Sequence, residues 1–353
     1  MPPPNPKRPL AVRCGAFGDM VLLTALIRVL HAEFKLPVDI VTSGPWSEPL
    51  LRGQPGVGEI FCVRSRKTPY WLSPDQQRVV RQLRARGAGP TWFCDGNQAA
   101  KPILERAGIT SQYIVDASDH VLLPGEHATE QWRRLAQIMP SVAGSTSRAG
   151  LEAIAPGCYL QVTSAQRGEL ATWLAMRGIA DQPLILLQIG NKRTMRRGLR
   201  RLAVNNKYWP MARWAEVLRF LRDRHPRHAI ALLGTGPEYE LNQELASLAE
   251  ISGLHNVADD LPIPRLVALL DRAEGLLTVD SGPAHAAAAV GCPQVVLFGK
   301  ALPSLYRPWG AGGAEVQVLT GEINGEPDMQ GIAAATVIAA WSRLKLRATQ
   351  ALR

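Results

Sequence analysis

Short runs of consecutive apolar residues punctuate this chain, separated by longer segments in which apolar positions recur every three or four residues. Leu10–Val12, Val38–Thr42, Gly58–Val63 and Thr91–Asp95 read as strands of a first series. Leu184–Gln188, Ala229–Leu233, Gly275–Val279 and Gln294–Phe298 read as a second. Helical spacing joins Leu23, Leu26, Ile27, Leu30 and Phe34, and predicts a basic-faced helix over Asp75–Arg86 and further helices over Met211–Arg224 and Tyr239–Ile251. Strands alternating with helices predict an α/β protein with parallel sheets, whose ligands sit at the carboxyl ends of the strands. The small, polar stretch Ser145–Pro156 reads as a domain-edge loop. The expected domains are 1–165 and 166–353, with a C-terminal helix able to pack back on the first.

Two of the turns after strands carry candidate chemistry. In V-D-S-G-P-A-H, spanning Val279 to His285, an apolar strand ends in a sharp polar turn and a small-residue helix follows from Ala284. Backbone N–H groups and the positive end of the helix dipole converge there, which suits an anion, and phosphate is the natural guest. Gly282 lets the backbone approach closely, Pro283 suits a first helical turn, and Ser281 can cap the helix with its hydroxyl. An ordinary capped turn would look the same. In R-C-G-A-F-G-D, spanning Arg13 to Asp19, Gly15 and Gly18 leave a tight turn and Asp19 stands where a helix begins. A capping carboxylate would account for Asp19 by itself; its pairing with the distal phosphate-type loop brings catalysis into view.

Composition narrows the classes. A chain of 353 residues can bury two cores, and 46% apolar with 20% charged residues describes a globular protein. No run approaches the roughly 18 apolar residues of a membrane span, and Met1–Pro9 lacks a signal peptide's apolar core, so the expected location is the cytoplasm. The five cysteines are scattered without C-x-x-C spacing, which argues against a disulfide framework or zinc site and for buried reduced thiols. No metal-ligand cluster is visible. The net charge of +10 is concentrated in Lys192–Lys207, with seven basic residues and no acidic one. Such a run is a solvated face, or it attracts a polyanionic acceptor or anionic lipid headgroups; no nucleic-acid module accompanies it.

Five segments in order carry a resemblance: R-C-G-A-F-G-D-M-V-L-L-T-A-L, F-C-D-G-N-Q-A-A-K-P-I-L, W-P-M-A-R-W, L-L-G-T-G-P-E-Y-E and V-D-S-G-P-A-H-A-A-A-A-V-G-C-P-Q-V-V-L-F-G. Together they resemble glycosyltransferase family 9, the heptosyltransferases of bacterial lipopolysaccharide synthesis. The resemblance implies a GT-B fold, two facing Rossmann-like domains with an interdomain cleft, the first binding acceptor and the second binding donor. It implies inverting transfer of heptose from ADP-heptose, or of a related sugar from another nucleotide, to a lipopolysaccharide core-type saccharide, without a separate cofactor, at the cytoplasmic face of the inner membrane. A protein acceptor, or a catalytically silent nucleotide-sugar binding module, is the alternative. By the same resemblance Asp19 is the general base and Lys207 the cation that meets phosphate and sugar. Glu238 meets the ribose, Pro262 and Ile263 flank the base, and Asp280, Ser281, Gly282, Pro283, Ala284 and His285 form the diphosphate loop. Gly18 and Asn97 face the acceptor; on charge alone, and not by the resemblance, Arg196, Arg197, Arg200 and Arg201 would attract it. The chain departs from the family pattern in the length of the basic run and at Gly299–Leu305, where Lys300 stands in a donor-sugar segment that usually carries proline and Asp-Pro.

Overall fold

The computed structural model describes residues 7–143, 154–191 and 207–348. The chain divides into two compact units between Cys158 and Tyr159. The expected boundary at 165 would cut a helix, Ser164–Met176, and the segment leading to it already belongs to the second unit, where Leu160 N–H donates to the Ala289 carbonyl.

In the first unit, β1 (Leu10–Val12), α1 (Phe17–Phe34), β2 (Val38–Thr42), α2 (Ser47–Leu51), β3 (Val57–Cys62), α3 (Pro74–Arg86), β4 (Thr91–Phe93), α4 (Lys101–Arg106), β5 (Ile114–Asp116) and α5 (Ala128–Ala136) follow in order. The described strands form one parallel sheet ordered β3-β2-β1-β4-β5. Helix α1 buries Met20 through Ile27 together with Val29 and Leu30, and it stops where Lys35 turns left-handed (φ 55°) and donates to the His31 carbonyl. Trp92 lies wholly inside, edge-on to Phe34 at 5.7 Å, with its indole N–H on the Leu135 carbonyl.

In the second unit, α6 (Ser164–Met176), β6 (Leu184–Gln188), α7 (Met211–Arg224), β7 (Ala229–Leu232), α8 (Tyr239–Ala249), β8 (Leu254–Asn256), α9 (Ile263–Arg272), β9 (Gly275–Val279), α10 (Gly282–Ala289), β10 (Gln294–Phe298), α11 (Pro303–Tyr306), β11 (Val316–Thr320), the hairpin β12 (Glu322–Ile323) and β13 (Glu326–Pro327), and α12 (Ala334–Arg343) follow. The larger sheet is parallel, ordered β11-β10-β9-β6-β7-β8. Helix α12 contributes Val337, Ala340 and Trp341 to this unit's own core beside Trp209 and Trp214.

Both sheets wind outward in two directions from their first strand, the order of doubly wound nucleotide-binding folds. The direction reverses between β1 and β4 in the first unit and between β6 and β9 in the second. Loops leaving those neighbouring strands diverge to opposite faces and leave a crevice at the strands' carboxyl ends. Among the described residues, no helix is long and apolar enough to cross a membrane.

Candidate functional site

The first unit gathers its polar residues at the β1/β4 reversal. Arg13 follows β1, and its guanidinium forks: Nη2 donates to Asp19 Oδ1 at 2.6 Å and Nη1 to the Cys94 carbonyl at 2.5 Å, while the group lies 5.4 Å from the Trp132 ring centre. Asp19 Oδ2 accepts from the Ala16 N–H at 2.7 Å, which caps α1. Gly15 is required here, since a Cβ would lie 2.4 Å from the Asp19 Cβ. Beside this pair, Arg66 Nη1 donates to Asp95 Oδ2 at 2.6 Å and Nη2 to the Cys14 carbonyl. Burial raises the Asp95 carboxyl above its ordinary range, against the lowering by Arg66. Gly18 is half-buried in the first turn of α1, and the Asn97 side chain accepts from Ala99 N–H, capping the next short turn.

The second unit does the same at β6/β9. Lys207 Nζ meets Asp280 Oδ2 at 2.5 Å and the Asp280 carbonyl at 3.1 Å. Asp280 directly follows β9 and is 7% exposed, so the cation is pinned immediately before α10. Its own N–H donates to Leu297 O, and Gln294 ties the start of α10 to the sheet by donating to Ala284 O at 2.9 Å. From the end of β6, Gln188 donates to Glu238 Oε1 at 3.1 Å, while Glu238 Oε2 accepts from Thr235 N–H and O–H. Burial raises the Glu238 carboxyl above its usual range. Pro262 and Ile263 start α9, the first exposed and the second half-buried. His285 is 7% exposed inside α10, and Lys300 is exposed just beyond β10.

Several expectations change. Ser281 does not cap α10 with its hydroxyl; the Oγ lies 3.2 Å from Thr278 Oγ1, a partner supplied by the preceding strand. Helix α10 begins at Gly282, two residues before the expected Ala284. Cys62 is half-exposed, whereas Cys14, Cys94, Cys158 and Cys292 are buried thiols pushed up to about 12 by burial. Arg196, Arg197, Arg200 and Arg201 lie outside the described residues, as do 145–153 of the expected edge loop. Arg13, Arg66, Asp95 and Gln188 join the sites without having been singled out. Their signal was present: each is among the first polar residues at the end of a strand or in the loop it enters.

Residues 192–329 match the family model described as Glycosyltransferase family 9 (heptosyltransferase). Lipopolysaccharide heptosyltransferase 3 of Escherichia coli is 34% identical over 106 residues, which is 29% of this chain and 30% of that protein. The aligned stretch thus spans under a third of that relative. Lipopolysaccharide heptosyltransferase 2 of Salmonella typhimurium is 22% identical over 317 residues, 86% of each chain. The solved structure of E. coli ADP-heptose lps heptosyltransferase II shares the fold at 18% identity, with a TM-score of 0.72 over 95% of this chain and 97% of that one. Two doubly wound parallel α/β units in one chain are the architecture of the GT-B fold, shared with that solved structure. The match to the family 9 model covers less than half of the chain.

Proposed function

We propose that this protein transfers heptose, or a related sugar, from a nucleoside diphosphate donor to a lipopolysaccharide core-type saccharide with inversion. ADP-heptose is the favoured donor, since a structural relative is named for it. In a single displacement the acceptor oxygen bonds to the anomeric carbon as the bond from that carbon to the phosphate oxygen breaks. Asp19 takes the acceptor's proton, and the diphosphate leaves with the bonding electrons. Charge accumulating on that leaving group is offset by the Lys207 ammonium and by the N–H groups at the start of α10. Asp280 orients Lys207 and stays off the phosphates, because the cation stands between them.

The pinning of Lys207 by the Asp280 carboxylate and carbonyl beside α10 carries this reading. Calorimetric titration with ADP, UDP and GDP tests it. ADP is expected to bind tightest, and Lys207→Ala to weaken it roughly ten- to a hundredfold, the loss of one charge-assisted contact. Equal binding by the variant would remove Lys207 from the donor site.

A further inference from the structure

The loop between β3 and α3 presents an apolar pair outward in a strongly basic setting. Trp71 is 74% exposed and Leu72 beside it 55%, on a single 3₁₀ turn, Tyr70–Leu72. This is not a loose segment. Gln76 donates to the carbonyls of Ser65 and Thr68, Gln77 donates to those of Tyr70 and Trp71, and Arg106 lies over the Tyr70 ring at 4.8 Å. The backbone is thus fastened from within while its two largest apolar side chains face outward.

The charge around this turn is one-sided. Residues 63–86 hold seven Lys or Arg and one acidic residue, Asp75. Arg66 and Arg86 are spent inward on Asp95 and Asp39. Arg64, Lys67, Arg78, Arg81 and Arg84 are exposed, and Asp75 is occupied by the Arg64 N–H and the Ser73 hydroxyl. Helix α3 buries Val79, Val80 and Leu83 in the first core, which turns Arg78 and Arg81 outward. An exposed tryptophan and leucine in a segment rich in exposed cations match the two demands of a bilayer surface: an apolar boundary that accepts amphipathic rings, and anionic headgroups above it.

We propose that Trp71 and Leu72, with the exposed cations of α3 and its preceding loop, dock the first unit on an anionic phospholipid surface. The same loop carries Arg66 into the Asp95 and Cys14 cluster, so docking brings that cluster to the height at which a lipid-linked saccharide is presented. The docking surface belongs to the first unit, and the proposed donor residues to the second.

Sedimentation of the full chain with phosphatidylcholine vesicles, with and without phosphatidylglycerol, tests it. Binding is expected with phosphatidylglycerol only. Trp71→Ser with Leu72→Ser should weaken it roughly tenfold while leaving its salt dependence, and Arg78→Gln with Arg81→Gln should weaken it and flatten that dependence. ADP affinity should be unchanged in both, which separates failure of docking from failure of the proposed activity. Absence of wild-type binding, or wild-type binding by the Trp71/Leu72 variant, would overturn the proposal; the second result would assign the vesicle contact to another surface or the turn to a protein partner. Circular dichroism and unfolding midpoints equal to wild type establish that the variants are folded.

Discussion

Asp19 illustrates how one carboxylate serves two roles. Oδ2 caps α1 through the Ala16 N–H, and Oδ1 pairs with Arg13, yet about a third of the side chain stays exposed. Each oxygen keeps lone-pair capacity for an acceptor hydroxyl. Asp19→Asn preserves an oxygen for the cap but removes the carboxylate proposed to take the acceptor's proton. Turnover should fall by about 10²–10⁴ with donor affinity nearly unchanged, as steady-state kinetics beside ADP titration would record; near-normal turnover would remove Asp19 from the mechanism. Asp19 and Asp280 were legible as candidates in the sequence beside Gly15, Gly18 and Gly282, and Lys207 only through the family resemblance. The partnerships were not. Arg66 and Asp95 are 29 positions apart, and Lys207 and Asp280 are 73 apart; each pair is brought together by the tertiary fold.

At the scale of elements, the strands Leu184–Gln188 and Gln294–Phe298 were readable to the residue because they are central and wholly buried. Strand β11 escaped notice as an edge strand of Val-Gln-Val-Leu-Thr, half-buried up to an exposed Thr320. The turn after Trp309 is likewise set by packing: a Cβ on Gly310 would lie 1.7 Å from the Ala288 carbonyl at the end of α10. Gly310→Ala should cost about 1–3 kcal/mol or more through overpacking, seen as a lower urea midpoint with unchanged m. Helices α6 and α9 are linked through Asp260, which accepts from the Trp173 indole, Arg177 and Arg265. The Trp173 hydrogen bond, followed by those of Arg265 and Arg177, holds the Asp260 carboxyl down to about 2, against an ordinary 3.8. A depressed carboxylate contributes stability that is present above 3.8 and lost as pH falls through about 2. Asp260→Asn should therefore lower stability near neutral pH and flatten its decline across that interval. Half the side chain is exposed, so the effect should shrink in high salt. Equal acid-unfolding profiles for variant and wild type would contradict the linkage.

Across the whole molecule, alternation of apolar runs with helical segments announced two parallel α/β units, since that pattern follows from burying strands between helices. Strand order was beyond it, because neighbours such as β6 and β9 are set by crossovers long in sequence. That order is what gives each unit its own crevice, with the Arg13–Asp19 ion pair at one and the Asp280–His285 turn at the other. The account stands on both being used in a single reaction. Incubating the full chain with ADP-heptose and a lipopolysaccharide core acceptor lacking its terminal heptose, and weighing the products by mass spectrometry, tests this most directly. The account predicts an acceptor heavier by one heptose residue with an equal amount of ADP released, and neither product from Asp19→Asn over the same interval. Tight ADP binding with no heavier acceptor, using that saccharide or other core acceptors, would contradict it and leave a nucleotide-sugar binding module in its place.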